Sequence, residues 1–406
     1  MKRLMVVLLV LAVAGTVFAQ GKTLRVYMQG LTPREKLESE RVAPPTYLWT
    51  AAKDWQAKHP GWTIEFVPEI TSGYDEWFTT QLVGGDAPDI IWNQRGWIQR
   101  DYKKNWFADL TPVLNQKDPY VPSAASWYDT FLTPAIESGR APDGKIYLIT
   151  GDIVGTGIFY NKDLFAKAGI TSEPQTWADF MAASKKLKAI GVIPFATSMS
   201  KDGGIQLYGS WFSREIQDVL YDSMMDQIKG AKVVRTWKPG ENLPTKAMVN
   251  AIVKGRYAAT QPQFKDMLRI LKDWSQYWPD GFWAINTDAN QVYDMWAKGQ
   301  AAMGWFGSWI TKTTLNDPLI NFKWGILKKI PSITKATSQY GGSDFPAMAG
   351  VGGVVQYSIP QVTKDRGSFD MAVDWLRYVT SPTVLVAALN DHGGFAPAVK
   401  DTKGAS

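Results

Sequence analysis

The sequence predicts an α/β protein of two lobes, and three observations carry that expectation. Between residues 24 and 93 the order is strand, helix, strand, helix, strand, and the last strand is a continuous apolar run. Such a run signals mainly parallel sheet covered on both faces. A second unit of the same kind begins near residue 146. The 406 residues, 45% of them hydrophobic, suffice for two ordinary cores.

Taken in order, Lys2 and Arg3 precede an apolar stretch from Leu4 to Ala14 and a small-residue site at Val17-Phe18-Ala19. Residues 1–19 therefore read as a signal peptide. The apolar run is too short for a bilayer core of about 30 Å, so an exported, periplasmic product starting near Gln20 is expected. "LRVYMQG" is a strand halted by Gly30. In "TYLWTAAKDWQAKHPGW", Leu48, Ala51, Ala52 and Trp55 share one helical face, and Pro60-Gly61 ends the helix. "TIEFVPEI" alternates as a strand, "GYDEWFTTQL" is a short helix, and "APDIIWN" is the third strand.

In the second unit "KIYLIT" and "GIFYN" are extended and "KDLFAKAG" is helical. "TWADFMAASKKLKAIG" has Thr176 as N-cap, Asp179 three residues on, Phe180, Ser184 and Leu187 on one face, and Gly191 as the stop. "VIPFATS" returns as a strand. Residues 205–300 are helical in texture and rich in Trp and Tyr. In "AAMGWFGSW" a strand runs into a short helix, "WITKTTLN", with Ser308 as its cap.

Composition excludes several chemistries. There are no cysteines, hence no disulfide, thiolate metal site, cysteine nucleophile or lipid anchor on a processed cysteine. The formal charge is +6, but basic residues are scattered, without the stripe that nucleic acid requires. The histidines are His59 and His392, far apart in sequence, so no metal site is expected and no cofactor either. "GRAPDGKI" approaches a phosphate loop but fails at Ile146 and leads into a strand, so it reads as a hairpin-like turn. Asp89, Asp152 and Asp344 are conceivable catalytic carboxylates, yet nothing pairs any two of them. No catalytic residue is assigned.

"GKIYLITGDIVGTGIFYNKDLFAKAGITSEPQTWADF" resembles the extracellular solute-binding proteins of ABC sugar importers, in the class of maltose-binding protein. "DIIWNQRGW", "WAKGQAAMGWFGSW" and "AVDWLRYVTSPTVLVAALNDHGGFAPAVKD" agree, in the family's order. The resemblance implies the two-lobed periplasmic-binding-protein fold, with 20–153 forming one lobe, 154–349 the other, and roughly 350–395 returning to the first. The end of the chain, 396–406, is expected against the second lobe. A hinge would cross "DIVGTGIF" at Gly155 and Gly157, and again near "GVGGVV". The implied function is capture of a carbohydrate between the lobes and its delivery to a membrane permease with its ATPase. The binding protein would be a monomer, and nineteen tryptophans favour an oligosaccharide.

A pyranose has an apolar face, which indole covers, and a rim of hydroxyls that amides and charges meet. Trp309 and Trp92 match the family's stacking residues, and Asn93, Gln94 and Arg95 would meet hydroxyls. Asp152 and Asp344 are candidate acceptors, and Tyr74, Trp77 and Trp211 further aromatics. Trp305 is included although its strand position suits the core. The alternative is an exported carbohydrate-active hydrolase using a carboxylate pair in the cleft.

Overall fold

The computed structural model describes residues 22–70, 72–198, 216–217, 219–221, 245–285, 291–342 and 349–402, with only the backbone at 245–248. The expected signal peptide, Trp211 and Asp344 lie outside the described residues.

In the first lobe β1 (Lys22–Val26) runs parallel to β2 (Trp62–Phe66), with Leu24 opposite Ile64. The Tyr47–Lys58 helix between them buries Leu48, Ala51, Ala52 and Trp55, the face that spacing predicts. β3 (Ile91–Trp92) and β4 (Ile149–Thr150) flank a strand from much later in the chain, β10 (Gln356–Ser358). Tyr357, Trp375, Leu376 and Leu389 accordingly share one core with Leu24 and Trp55. "GRAPDGKI" is a turn, closed by Gly144 N–H to the Ala141 carbonyl at 2.9 Å.

The second lobe is built on β5 (Asp152–Asn161), β6 (Ile193–Ala196), β7 (Ala301–Gly307) and β8 (Trp324–Ile326). β5 pairs antiparallel with β7 and β8, and β6 is parallel to β7. The Trp177–Ala189 helix carries the predicted capping box between Thr176 and Asp179 and buries Phe180, Ser184 and Leu187. The Pro262–Ser275 helix closes the same core through Met267, Ile270 and Trp274.

Three expectations need correction. The sheets are mixed rather than mainly parallel, because β9 (Ala349–Val351) leads the chain back beside β5 in the opposite sense, and β10 then runs antiparallel to both its neighbours. Residues 396–402 pack on the first lobe, not the second. There Leu132 N–H reaches the Ala398 carbonyl at 2.9 Å and Lys400 N–H the Thr130 carbonyl at 2.8 Å, while β11 (Ala396–Pro397) pairs with the first-lobe end of β5, at Asp152 and Ile153. Ser308 does not cap a helix; its hydroxyl accepts from Gly155 N–H at 3.2 Å, tying the end of β7 to β5. Among the described residues no helix is long and apolar enough to cross a membrane.

Candidate functional site: a cleft between two lobes

A cleft of about 930 Å³ lies between the lobes. Its floor is formed by Val154 of β5 and by Gly352, Gly353 and Val354, which follow β9. Asp152 holds this floor together. Its carboxylate is fully buried and accepts three backbone N–H bonds, from Gly353 at 3.1 Å and from Val354 and Val355 at 3.0 Å each. Burial pushes the Asp152 carboxyl up to about 6, against the lowering effect of those donors. Both oxygens are taken, so the assignment of Asp152 to ligand hydroxyls is corrected: it clamps the paired crossing strands. A Cβ on Gly353 would stand 2.6 Å from Phe395 and 2.7 Å from Asp152 Oδ2, so only glycine fits there.

On the first lobe Trp92, at the end of β3, lines the cleft and is 8% exposed. Its indole N–H donates to the Gly353 carbonyl at 3.1 Å, which fixes the ring relative to the floor. Gln94 and Arg95 also line the cleft, at the start of the Arg95–Asp101 helix. Burial holds the Arg95 guanidinium below its ordinary pKa.

Asn93 does not reach the cleft. It is buried, its amide N–H donating to Ser358 Oγ at 3.0 Å and its carbonyl accepting from Gln94 N–H at 2.7 Å. Tyr74 and Trp77 lie behind Trp92. The Tyr74 hydroxyl donates to the Trp92 carbonyl at 2.7 Å, and its ring packs against Tyr27, Trp77 and Trp97. Neither is among the cleft-lining residues, so both support the wall instead of forming it.

On the second lobe Trp309 lines the cleft from the turn after β7 and packs against the first lobe's core. Its indole lies on Gly307, where a Cβ would stand 2.0 to 2.2 Å from three ring atoms. Trp305 is 1% exposed within the second lobe's core, so it is no platform.

Several cleft residues have no counterpart among the sequence candidates. Arg34, Glu40 and Arg41 come from the segment after β1, and Glu69 follows β2. Asp294, Lys312 and Asp317 face them from the second lobe, while His392 and Phe395 close one end. Arg34 is paired with Glu40 at 2.7 Å, which lowers the Glu40 carboxyl. Arg41 spans the lobes, with Nε 3.0 Å from both oxygens of Asp317 and Nη2 2.7 Å from Asp294. Burial raises the Glu69 carboxyl, with Arg34 opposing and Glu40 adding. Among the described residues no cluster of His, Asp or Glu is arranged to hold a metal ion.

Two α/β lobes, two adjoining crossing strands and a deep cleft at their junction define a class of hinged solute-binding proteins. The chain belongs to the bacterial extracellular solute-binding protein family, whose profile matches residues 40–385. A Brucella abortus binding protein is 27% identical over 145 residues, covering 36% of this chain and 33% of the relative. The arabinooligosaccharide-binding protein of Bacillus subtilis is 25% identical over 157 residues, 37% of this chain and 34% of the relative. The chain thus spans about a third of the length of these curated relatives. Among solved structures, RafE of Streptococcus pneumoniae in complex with raffinose superposes with a TM-score of 0.62 at 21% identity. That superposition covers 95% of this chain and 84% of the other. Maltose-bound MalE3 of T. maritima gives 0.63 at 17% identity, covering 94% and 82%. These likenesses establish the fold.

Proposed function

We propose that this protein is the periplasmic substrate-binding component of an ABC transporter, capturing a carbohydrate, an oligosaccharide before a monosaccharide, and delivering it to a permease. The carrying observation is the cleft of about 930 Å³ with one tryptophan on each wall, Trp92 and Trp309. Indole faces suit the C–H face of a sugar ring, while Gln94 and Arg95 suit its hydroxyls. Each platform contributes on the order of 1–2 kcal/mol, and micromolar affinity needs about 8 kcal/mol, so two stacks plus a few polar contacts suffice.

Gly155 and Gly157 lie where β5 passes from β9 to β7, and they absorb the rotation that opens the lobes. Ligand shifts the equilibrium toward closure by its differential affinity for the closed form, without covalent chemistry. The carboxylates of the cleft favour binding over hydrolysis, since Glu40, Asp294 and Asp317 are each engaged by arginine, which leaves Glu69 without a second free carboxylate to work with among the described residues. No cofactor, metal or nucleic acid takes part, and the monomer is the working unit.

The test is tryptophan fluorescence and calorimetry against mono- and oligosaccharides, followed by product analysis. Saturable binding with every sugar recovered intact is the expected result. Cleaved sugar would replace this reading with a hydrolase.

A further inference from the structure

We infer that His392 is a ligand-recognition residue whose Nε2 accepts a hydrogen bond from a hydroxyl of the bound sugar. This inference rests on the capture of a carbohydrate in the cleft. His392 ends the Pro382–His392 helix and lines the cleft beside Phe395. Its Nδ1 lies 3.0 Å from the Gly393 carbonyl oxygen. A carbonyl can only accept, so Nδ1 carries the proton and Nε2 of the neutral ring is left with its lone pair. Nε2 meets no hydrogen-bond partner among the described residues.

The position of that nitrogen is built in. A Cβ on Gly30, itself a cleft residue, would stand 2.9 Å from Nε2. Phe395 packs edge-on against the imidazole at 4.9 Å between centroids. Gly393 and Gly394 both have positive φ, and a Cβ on Gly394 would overlap the Ser308 carbonyl. The double glycine therefore brings the histidine's loop directly against the second lobe.

The surroundings keep the ring neutral. Burial lowers its pKa below the ordinary 6.5 and Lys312 opposes the imidazolium from the second lobe, outweighing the hydrogen bond to the Gly393 carbonyl and the charge of Asp391 on the same helix, which favour it. Gly30, Val354 and Phe395, which also pack there, do not titrate. A neutral acceptor selects a hydroxyl donor, and protonation of Nε2 removes the acceptor.

The experiment measures calorimetric affinity of the mature protein for raffinose, maltotriose and arabinotriose, with histidine ¹⁵N NMR of the free and saturated protein. Two histidines make the spectrum simple, and His59 serves as the internal reference. His392→Phe is expected to lose about tenfold or more in affinity, while His392→Gln, which retains an acceptor, recovers most of it. The Nε2 resonance should move on saturation, and wild-type affinity should fall as pH drops through the native pKa. Sugar binding with equal affinity in His392→Phe and an unmoved Nε2 signal would overturn this inference and leave the capture reading standing. Absence of binding by every sugar in wild type would overturn both. The wild-type NMR readout keeps the test decisive should His392→Phe fail to fold.

Discussion

Arg41 and Asp317, 276 positions apart, form a half-buried contact across the cleft: Nε is 3.0 Å from each carboxylate oxygen and Nη2 is 2.9 Å from Oδ2. Asp317 has no exposed side-chain surface, and Asp294 holds the same guanidinium from a second direction. A second pair, Lys312 with Asp391, joins the lobes beside His392. The described conformation is thus one in which ion pairs as well as apolar contacts hold the two lobes together.

Arg41→Ala should open the molecule. Loss of the guanidinium leaves Asp317 buried without its counter-charge, but Arg41 is about one-third exposed, so the cost is discounted to about 1–3 kcal/mol. A larger radius of gyration in small-angle scattering and roughly tenfold weaker sugar binding are expected. An unchanged scattering profile and affinity would show that the pair does not govern closure.

Gly307→Ala should disable the Trp309 platform without removing it. The new methyl would meet three atoms of the indole at 2.0 to 2.2 Å, and the ring must leave its seat. Affinity should fall by about as much as in Trp309→Ala, on the order of tenfold. Calorimetry on both variants checks this, and wild-type affinity in Gly307→Ala would deny the ring its stacking role.

Asp152→Asn should destabilise the fold by about 2–4 kcal/mol, because an amide N–H₂ would face backbone N–H groups that now find carboxylate oxygens. Urea unfolding at pH 7.5, where the native carboxyl near 6 is ionised, provides the measurement. An unchanged midpoint would mean that the three N–H groups find other acceptors.

His392 should make stability depend on pH even without ligand. Its native pKa lies below 6.5, so on acidification the unfolded chain takes up the proton first. Stability therefore decreases as pH falls through 6.5 and stops decreasing once the native ring is protonated too. The difference in urea midpoint between wild type and His392→Gln, followed from pH 7.5 to 5, should display this slope. A flat difference would contradict the half-buried, neutral ring.

The local elements were largely legible in the sequence. Leu48, Ala51, Ala52 and Trp55 lie on one face because helical spacing places them there, and the Thr176–Asp179 box is purely local chemistry. Trp92 and Trp309 line the cleft, and Gln94 and Arg95 accompany them. Asn93 and Asp152 share their neighbourhoods but turn inward, because buried polar side chains go where backbone and hydroxyl partners await them. A residue number one step along a chain leaves such a direction open.

What the sequence alone determined, then, is the alphabet of the fold: periodic faces, caps, turns and the family they spell. Only the tertiary structure decided which distant segments meet. Arg41 and Glu69 lie in stretches without periodicity, and Asp294, Lys312 and His392 sit on elements whose patterns report their cores rather than their rims. These residues reach one cleft because β5 and β9 cross between the lobes side by side and β10 returns the chain to its first sheet. The direction of a side chain and its long-range partner are set by packing and by satisfaction of buried polar groups, and those forces act between residues hundreds of positions apart.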